Sequence, residues 1–203
     1  ARLLGKMYKK AGFISKGHVI ETSREHLVAE YIGQTAQKTR RVIDSAKGGI
    51  LFIDEAYSLA RQSGDRLDFG AEVIEVLINE MDTNDDIIII VAGYTEEMKI
   101  FIESNSGLKS RFNNMFEFPD YSPDELWEIL GYIAGKRGLI IREDVKDILY
   151  PYLVDAYRNR SDDFGNARFV CELLEKAEMN LAVRSVENET SFATADELVI
   201  LNA

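Results

Sequence analysis

Two adjacent acidic residues, Asp54 and Glu55, follow an apolar stretch of four residues, 50–53. A carboxylate at the carboxyl end of a buried parallel strand lies where open α/β sheets bind ligands. There Asp54 can hold a magnesium ion, usually through a water, while Glu55 can orient or deprotonate a water for attack on a phosphoryl group. The simpler interpretation is a strand that stops at a polar turn. Gly48 and Gly49 before the strand, and AYSL after the acids, favour a nucleotide site.

Thr95 comes just after the apolar stretch 87–92, which we expect to form the strand beside 50–53. Its hydroxyl can there position the attacking water near a terminal phosphate. Two alternatives stay open. Thr95 is also a suitable N-cap for a helix that starts at Glu96, and Tyr94 can take the water-positioning role instead.

Two arginines are candidates to bind phosphate charge. Arg111 lies in a polar segment, GLKSRF, which we expect to be a loop ahead of a short strand. From such a loop a guanidinium can reach the nucleotide of a neighbouring subunit, and the alternative is a surface arginine or a local ion pair. Arg168 follows Gly165 and Asn166, which places it in the first turn of a helix. A cation is unfavourable for the helix dipole there, so an anion-directed role is favoured.

The segment Tyr31-Ile32-Gly33 combines a large amphipathic side chain, an aliphatic one and a glycine that permits a turn. Such a tip can contact any side chain of a polypeptide. Periodicity alone favours another interpretation, in which Tyr31 is the last apolar residue of a helix that also carries Leu27 and Val28. The order of motifs described below reverses that preference.

The elements that must position these residues alternate between strands and helices, which is typical of a parallel sheet covered by helices. Strands are expected at 18–21, 50–53 and 87–92, and the last two, apolar on both faces, are expected to be central strands. Helices are expected at 3–11, 35–46, 69–81, 125–137, 143–157 and 166–186. In FEFPDYSPDE a short strand is expected to end before Pro119, and a helix to start at Ser122. This pattern predicts an α/β core over 1–120 and a helical domain over 121–203.

The bulk composition limits the classes of function. Lys and Arg number 24 against 35 Asp and Glu, a net charge of -11, which argues against a protein that mainly binds nucleic acid. Cys171 is the single cysteine, so an internal disulfide is excluded, which fits a reducing compartment. The apolar stretches are far shorter than a membrane span, so we expect a cytoplasmic protein without a membrane partner. His18 and His26 have no companions at metal-ligand spacing.

Several stretches of the chain, in this order, resemble motifs of the AAA+ ATPases. Residues 27–46 resemble the substrate-contacting pore loop with its following helix, ILFIDEA the Walker B segment, and IIIIVAGYTEEM the sensor-1 strand. SGLKSRFNNMFEFPDYSPDEL resembles the arginine-finger segment with the entry to the lid, and DFGNARFVCELLEKA the sensor-2 helix. The wordings AGYTEEM, ESNSGLKSRF, FPDYSPDEL and GNARFV resemble the branch that contains CbbX and the stage V sporulation protein K.

The resemblance implies a three-layer α/β/α nucleotide-binding core with a parallel sheet, a small helical lid, and the cofactors ATP and Mg²⁺. It further implies a ring, most often of six identical subunits, that remodels a protein client by pulling it through a central pore. A non-catalytic interaction module is the rival, and a DNA-directed machine is disfavoured by the acidic charge. The implied site residues are Asp54 for ATP and metal, Glu55, Thr95 and Arg111 for catalysis, Thr95 and Arg168 for the nucleotide, and Tyr31, Ile32 and Gly33 for the client.

One departure from the family pattern concerns the phosphate-binding loop. The sequence G-x-x-x-x-G-K-[ST], whose backbone amides and Lys surround the phosphates, does not occur in this chain. The opening ARLLGKMYKKAGF resembles the helix that follows this loop in the family. We therefore expect the first strand and the loop to be missing, the chain to be a fragment, and hydrolysis to belong to the parent protein rather than to these residues alone.

Overall fold

The computed structural model describes residues 1–60, 69–161 and 164–187. The chain divides into two units, Ala1–Glu117 and Phe118–Ala203. The predicted sequence boundary, at residue 120, lies close to this division. Residues 162–163 and 188–203 of the predicted helical domain lie outside the described residues.

The first unit is built on a parallel sheet of three described strands, in the order β1 (Val19–Thr22), β2 (Ile50–Ile53), β3 (Ile88–Val91). Its described helices are α1 (Arg2–Ala11), α2 (Arg24–Leu27), α3 (Thr35–Ala46), α4 (Phe69–Thr83), α5 (Thr95–Glu103) and α6 (Ser106–Arg111), with a 3₁₀ helix at Ala56–Ala60. The described helices of the second unit are α7 (Pro123–Lys136), α8 (Glu143–Arg158) and α9 (Ala167–Glu187).

The sheet register aligns the carboxyl ends of the three strands. Ile53 pairs with Thr22 of β1 and with Val91 of β3. The segments that follow the strands therefore leave the sheet at one edge, where open parallel sheets bind ligands. Below that edge the core is apolar and fully buried, with Leu27, Ile43, Leu51, Ile53, Leu59, Leu77, Phe101 and Leu108 among its members.

β2 and β3 differ in burial although both sequences are wholly apolar. Three of the four residues of β2 are buried, whereas all four of β3 are only half-buried. The reason is position: β2 lies between two strands, and β3 is an edge strand in the part of the chain that the structure describes. The expectation of two central strands therefore holds for β2 alone.

Other boundaries differ from the sequence-based expectation. The first strand begins and ends one residue later than predicted, at Val19–Thr22. The predicted helix through Tyr31 is wrong, since α2 ends at Leu27 and Val28 is already extended. The short strand ahead of Pro119 is also wrong: residues 112–122 form no strand with the described residues, because a strand requires a ladder partner and none of the described strands supplies one.

The second unit packs its three described helices around one apolar cluster. Its first helix starts as the sequence predicts, with a capping box: the Ser122 hydroxyl accepts the Glu125 N–H at 3.3 Å, and the Glu125 carboxylate accepts the Ser122 N–H at 2.8 Å. Pro123 occupies the first turn, where its missing N–H costs nothing. The cluster contains Leu126, Leu130, Ala134, Val145, Leu149, Leu153, Val170 and Leu174.

Candidate functional site

Asp54 is fixed at the ligand-binding edge of the sheet by its own backbone. Its N–H donates to the Thr22 carbonyl at 2.9 Å, one residue beyond the end of β2, and its side chain is exposed. Oδ1 accepts the Glu55 N–H at 3.0 Å, while the other carboxylate oxygen has no hydrogen bond within the described residues. That oxygen is therefore available to a cation or to a water bound to one.

Glu55 follows Asp54 with a left-handed backbone, φ +47°. A non-glycine residue in this region costs on the order of 1–3 kcal/mol and is held there by its surroundings. Two hydrogen bonds supply that restraint, one at Glu55 itself and one at the next residue: the Ser58 N–H donates to the Glu55 carbonyl at 2.8 Å, and the Ala56 N–H donates to the Ala92 carbonyl at 3.0 Å. Asp54 and Glu55 are thus adjacent, exposed and of different backbone conformation, which is compatible with a division into metal binding and water activation.

Thr95 is the first residue of α5, so the expectation that it caps a helix starting at Glu96 is wrong. Tyr94 holds the cap position, and its side chain makes no capping hydrogen bond. Both side chains are exposed just beyond β3, so the choice between them as the water-positioning residue stays open. The Tyr94 ring lies 6.3 Å from the ring of Tyr57, centroid to centroid.

Tyr57 and Gly93 belong to this edge of the sheet, and sequence reasoning did not single them out. Tyr57 is only 7% exposed, and its ring packs against Gly93, where an added Cβ would lie 2.6 Å from Cδ1 of the ring. Glycine is therefore required there by close approach. The signal in the sequence was the glycine immediately after an apolar strand, which often marks such an approach.

Arg111 is the last residue of α6, so the predicted loop is wrong. The helix forms because Asn105 caps it, with Oδ1 accepting the N–H groups of Gly107 at 2.7 Å and Leu108 at 3.4 Å. The guanidinium makes a bidentate contact with Asp82 on α4, including Nε to Oδ1 at 2.8 Å. This hydrogen-bonded partner holds the pKa of Asp82 below its ordinary value.

Within the described residues, the local ion pair that was the alternative for Arg111 is present. The remaining terminal nitrogen of Arg111 donates to the Gly107 carbonyl and to the Ser110 hydroxyl, each at 3.1 Å. The side chain is 27% exposed. Any contact of Arg111 with a neighbouring subunit requires it to exchange these partners or to use its last free N–H.

Arg168 lies in the first turn of α9, as the sequence predicts, and its side chain is exposed. The preceding Asn166 has a left-handed backbone, φ +49°, and organises this turn. Asn166 donates to Asp120 Oδ1 at 2.7 Å and accepts the Tyr121 N–H at 2.9 Å, while Arg160 donates to the second Asp120 oxygen at 2.7 Å. The hydrogen bond from Asn166, and then that from Arg160, lower the pKa of Asp120.

Tyr31 and Ile32 project from the segment between α2 and α3, with 67% and 74% of their surface exposed. Tyr31 is therefore not a core residue at the end of a helix. Gly33 has φ +79°, a left-handed conformation that glycine adopts at low cost, and open space around it.

The residues present fit the acidic half of a magnesium–nucleotide site. No group of three potential His, Cys, Asp or Glu ligands occurs among the described residues, so Asp54 would be a single protein ligand. Magnesium commonly takes one or two carboxylates and fills its other positions with waters and phosphate oxygens.

Across the described ranges the structure contains no helix that is both long and apolar enough to cross a membrane.

The sequence profile of the ATPase family associated with various cellular activities (AAA) matches residues 4–120, and that of the AAA lid domain matches 122–203. The chain belongs to the AAA ATPase family. Membership implies, in general, ATP hydrolysis that depends on Mg²⁺. The predicted fold class, a parallel α/β core with a helical lid, is confirmed.

Three curated relatives of this AAA ATPase confirm the predicted branch. The stage V sporulation protein K of Bacillus subtilis is 45% identical over 91% of this chain and 57% of its own length. Protein CbbX of Cereibacter sphaeroides is 40% identical over 86% of this chain and 56% of its own length. The chloroplastic ribulose bisphosphate carboxylase/oxygenase activase of Cyanidioschyzon merolae is 39% identical over the whole chain and 69% of its own length. The chain thus spans between about half and two thirds of these relatives.

Among solved structures, the crystal structure of the FIGL-1 AAA domain in complex with ADP superimposes with a TM-score of 0.58. It covers 97% of this chain and 62% of the FIGL-1 chain at 13% sequence identity. At that identity the similarity concerns the fold alone.

Proposed function

We propose that this chain is part of an ATP-driven machine that remodels proteins, formed by a ring of six copies that pulls a polypeptide through a central pore. The observation that carries the proposal is the pair of carboxylates at the end of β2: Asp54 and Glu55 are adjacent and exposed, and the backbone of Glu55 is left-handed. Strained backbone of this kind concentrates at functional sites, which supports a role for the pair beyond ending the strand.

The roles of the side chains follow from their placement. Bound ATP with Mg²⁺ supplies the phosphoryl group. Asp54 would hold Mg²⁺ through its free carboxylate oxygen, and Glu55 would accept the proton of the attacking water. Thr95 or Tyr94, at the end of the neighbouring strand, orients that water. Arg168 lies at a helix start, where its charge is directed to an anion rather than to the helix.

Arg111 acts in this proposal on the nucleotide of the neighbouring subunit, which gives a reason for a closed ring. In the single chain its guanidinium is neutralised by Asp82. The phosphate charge of a neighbour offers a stronger anionic partner, so assembly exchanges one ion pair for another.

The exposed loop at Tyr31 and Ile32 supplies the contact with the client. Because a relative is named as an activase of ribulose bisphosphate carboxylase/oxygenase, we propose that the client is a protein. The acidic charge argues against a nucleic acid client, and the single cysteine supports a location in the cytoplasm.

A non-catalytic interaction module is the second candidate, and the ion pair that already engages Arg111 with Asp82 in the single chain favours it. The two interpretations separate in an extended chain, meaning these residues preceded by a phosphate-binding strand and a loop of the pattern G-x-x-x-x-G-K-[ST]. An interaction module would bind partners but hydrolyse no ATP in this form.

The test of ring catalysis mixes two inactive variants of the extended chain. Glu55→Gln retains Asp54 and ATP binding but loses the proton acceptor, and Arg111→Ala retains its own pocket but loses the arginine. We expect each variant alone to lose roughly a thousandfold or more in turnover. Mixed rings contain interfaces where an intact Glu55 pocket faces an intact Arg111, so ATPase activity should partly return. Full activity of Arg111→Ala, or no recovery on mixing, would contradict the assignment.

A further inference from the structure

One face of α3 holds the segment that precedes the exposed loop. Thr35, Lys38 and Thr39 are spaced i, i+3 and i+4, so their side chains lie on the same side of the helix. All three form hydrogen bonds with the backbone of residues 25–29, and Thr35 and Thr39 are fully buried.

The contacts of Lys38 are the most extensive of the three. Its ammonium donates to the Glu25 carbonyl and to the Val28 carbonyl, each at 2.7 Å. α2 has only four residues, and the last carbonyls of a helix lack intrahelical partners, so this single side chain satisfies two acceptors at the end of α2. Thr39 donates to the Leu27 carbonyl, between them in sequence, at 3.1 Å.

A further hydrogen bond joins the two ends of the loop. The Ala29 N–H donates to the hydroxyl of Thr35, the first residue of α3, at 3.2 Å. Between these anchors the tip is in solvent, with Tyr31 and Ile32 mostly exposed. The segment is therefore a short loop with a fixed base and a free apolar tip.

We propose that Lys38 is a positioning residue for this loop. It fixes the base of the loop to α3, so that Tyr31 and Ile32 are already ordered when they contact a polypeptide. The inference rests on the proposed function in so far as the tip binds a client. Ordering a loop upon binding costs free energy, which a prearranged base avoids.

The first test measures the loop base in the chain as it is. Lys38→Met keeps the aliphatic stem and removes both donors. We expect amide hydrogen exchange at Val28 and Ala29, whose N–H groups are hydrogen-bonded, to accelerate about tenfold. Lys38→Arg should restore much of the protection, since a guanidinium also donates to two carbonyls. The control Lys10→Met, on the exposed end of α1, should leave exchange at these amides unchanged.

The second test measures the consequence for binding in the extended chain. The probe is carboxymethylated α-lactalbumin, a permanently unfolded polypeptide, titrated in the presence of ATP. Lys38→Met should raise the Kd for the probe about tenfold and leave the KM for ATP unchanged, whereas a general loss of folding would impair both. Thr39→Val, which removes one donor from the same base, should act in the same direction and serves if Lys38→Met folds poorly.

The outcomes distinguish this inference from the proposed function. Unchanged exchange at Val28 and Ala29 in both variants would overturn the role of Lys38. So would faster exchange with unaltered probe affinity, provided that Tyr31→Ala abolishes binding. If Tyr31→Ala itself leaves probe binding intact, the client-contact role of the loop fails, while accelerated exchange in Lys38→Met still supports Lys38 as the anchor of the base.

Discussion

Replacing Asn166 tests the hydrogen-bonded turn that carries Arg168. Its side chain bonds to Asp120 at 2.7 Å, to the Tyr121 N–H at 2.9 Å and to the Phe164 carbonyl at 3.2 Å. Each such bond contributes about 1 kcal/mol net, and the carboxylate of Asp120 is 35% exposed, so we discount the sum to about 2 kcal/mol. Alanine at φ +49° adds about 1 kcal/mol of backbone strain that glycine avoids. We therefore expect Asn166→Ala to cost about 3 kcal/mol and Asn166→Gly about 2 kcal/mol.

The assay is urea unfolding followed by tryptophan fluorescence. Trp127 is the single tryptophan, and it packs against the core of the second unit, so its emission reports that unit. Equal midpoints for the alanine and glycine variants would refute the strain argument. A glycine variant as stable as the wild type would refute the argument from hydrogen bonds.

The pH dependence gives an independent check. The pKa of Asp120 is lowered in the folded state. The contribution of this carboxylate to stability is therefore present above its pKa in the unfolded chain, about 3.9, and is lost as pH falls through the folded pKa. The difference in unfolding free energy between the wild type and Asn166→Ala should thus shrink below about pH 4. Asn166→Asp places a second carboxylate against Asp120, so it should be destabilised at neutral pH and should recover upon acidification. A destabilisation of Asn166→Asp that did not change with pH would contradict the assignment of this contact.

Two further predictions concern the loop tip and the sheet edge. Tyr31→Ala in the extended chain should leave basal ATP hydrolysis within a few fold but abolish client remodelling, because the exposed tip contacts the client and not the nucleotide; a collapse of ATP affinity would contradict this. Gly93→Ala should destabilise the chain by about 1–3 kcal/mol in thermal unfolding followed by circular dichroism, since the new methyl would overlap the Tyr57 ring. The matched control Gly131→Ala, where nothing lies within 4 Å, should be neutral or slightly stabilising, and equal effects of the two changes would refute the overlap.

The sequence by itself determined the alternation of strands and helices in the first unit, the helical nature of the second, and the family. Apolar runs of strand length followed by polar residues predicted β2 and the carboxylates after it, and the Ser122 capping box predicted the start of α7. These signals are local: a cap, a turn or an alternation acts over a few residues. They can therefore be recognised without knowledge of the residues that pack against them.

The tertiary structure alone decided which side chains meet and which strand is at the edge. The Arg111–Asp82 pair joins residues 29 apart in sequence, and the Asn166–Asp120 contact joins residues 46 apart. Nothing in the local pattern distinguishes Asp82 from its acidic neighbours, or Lys38 from any other helical lysine. β3 reads as a central strand because its residues are apolar, yet its half-burial depends on whether a neighbouring strand is present. Such contacts are set by the packing of whole elements, so they cannot be inferred from the composition of one segment.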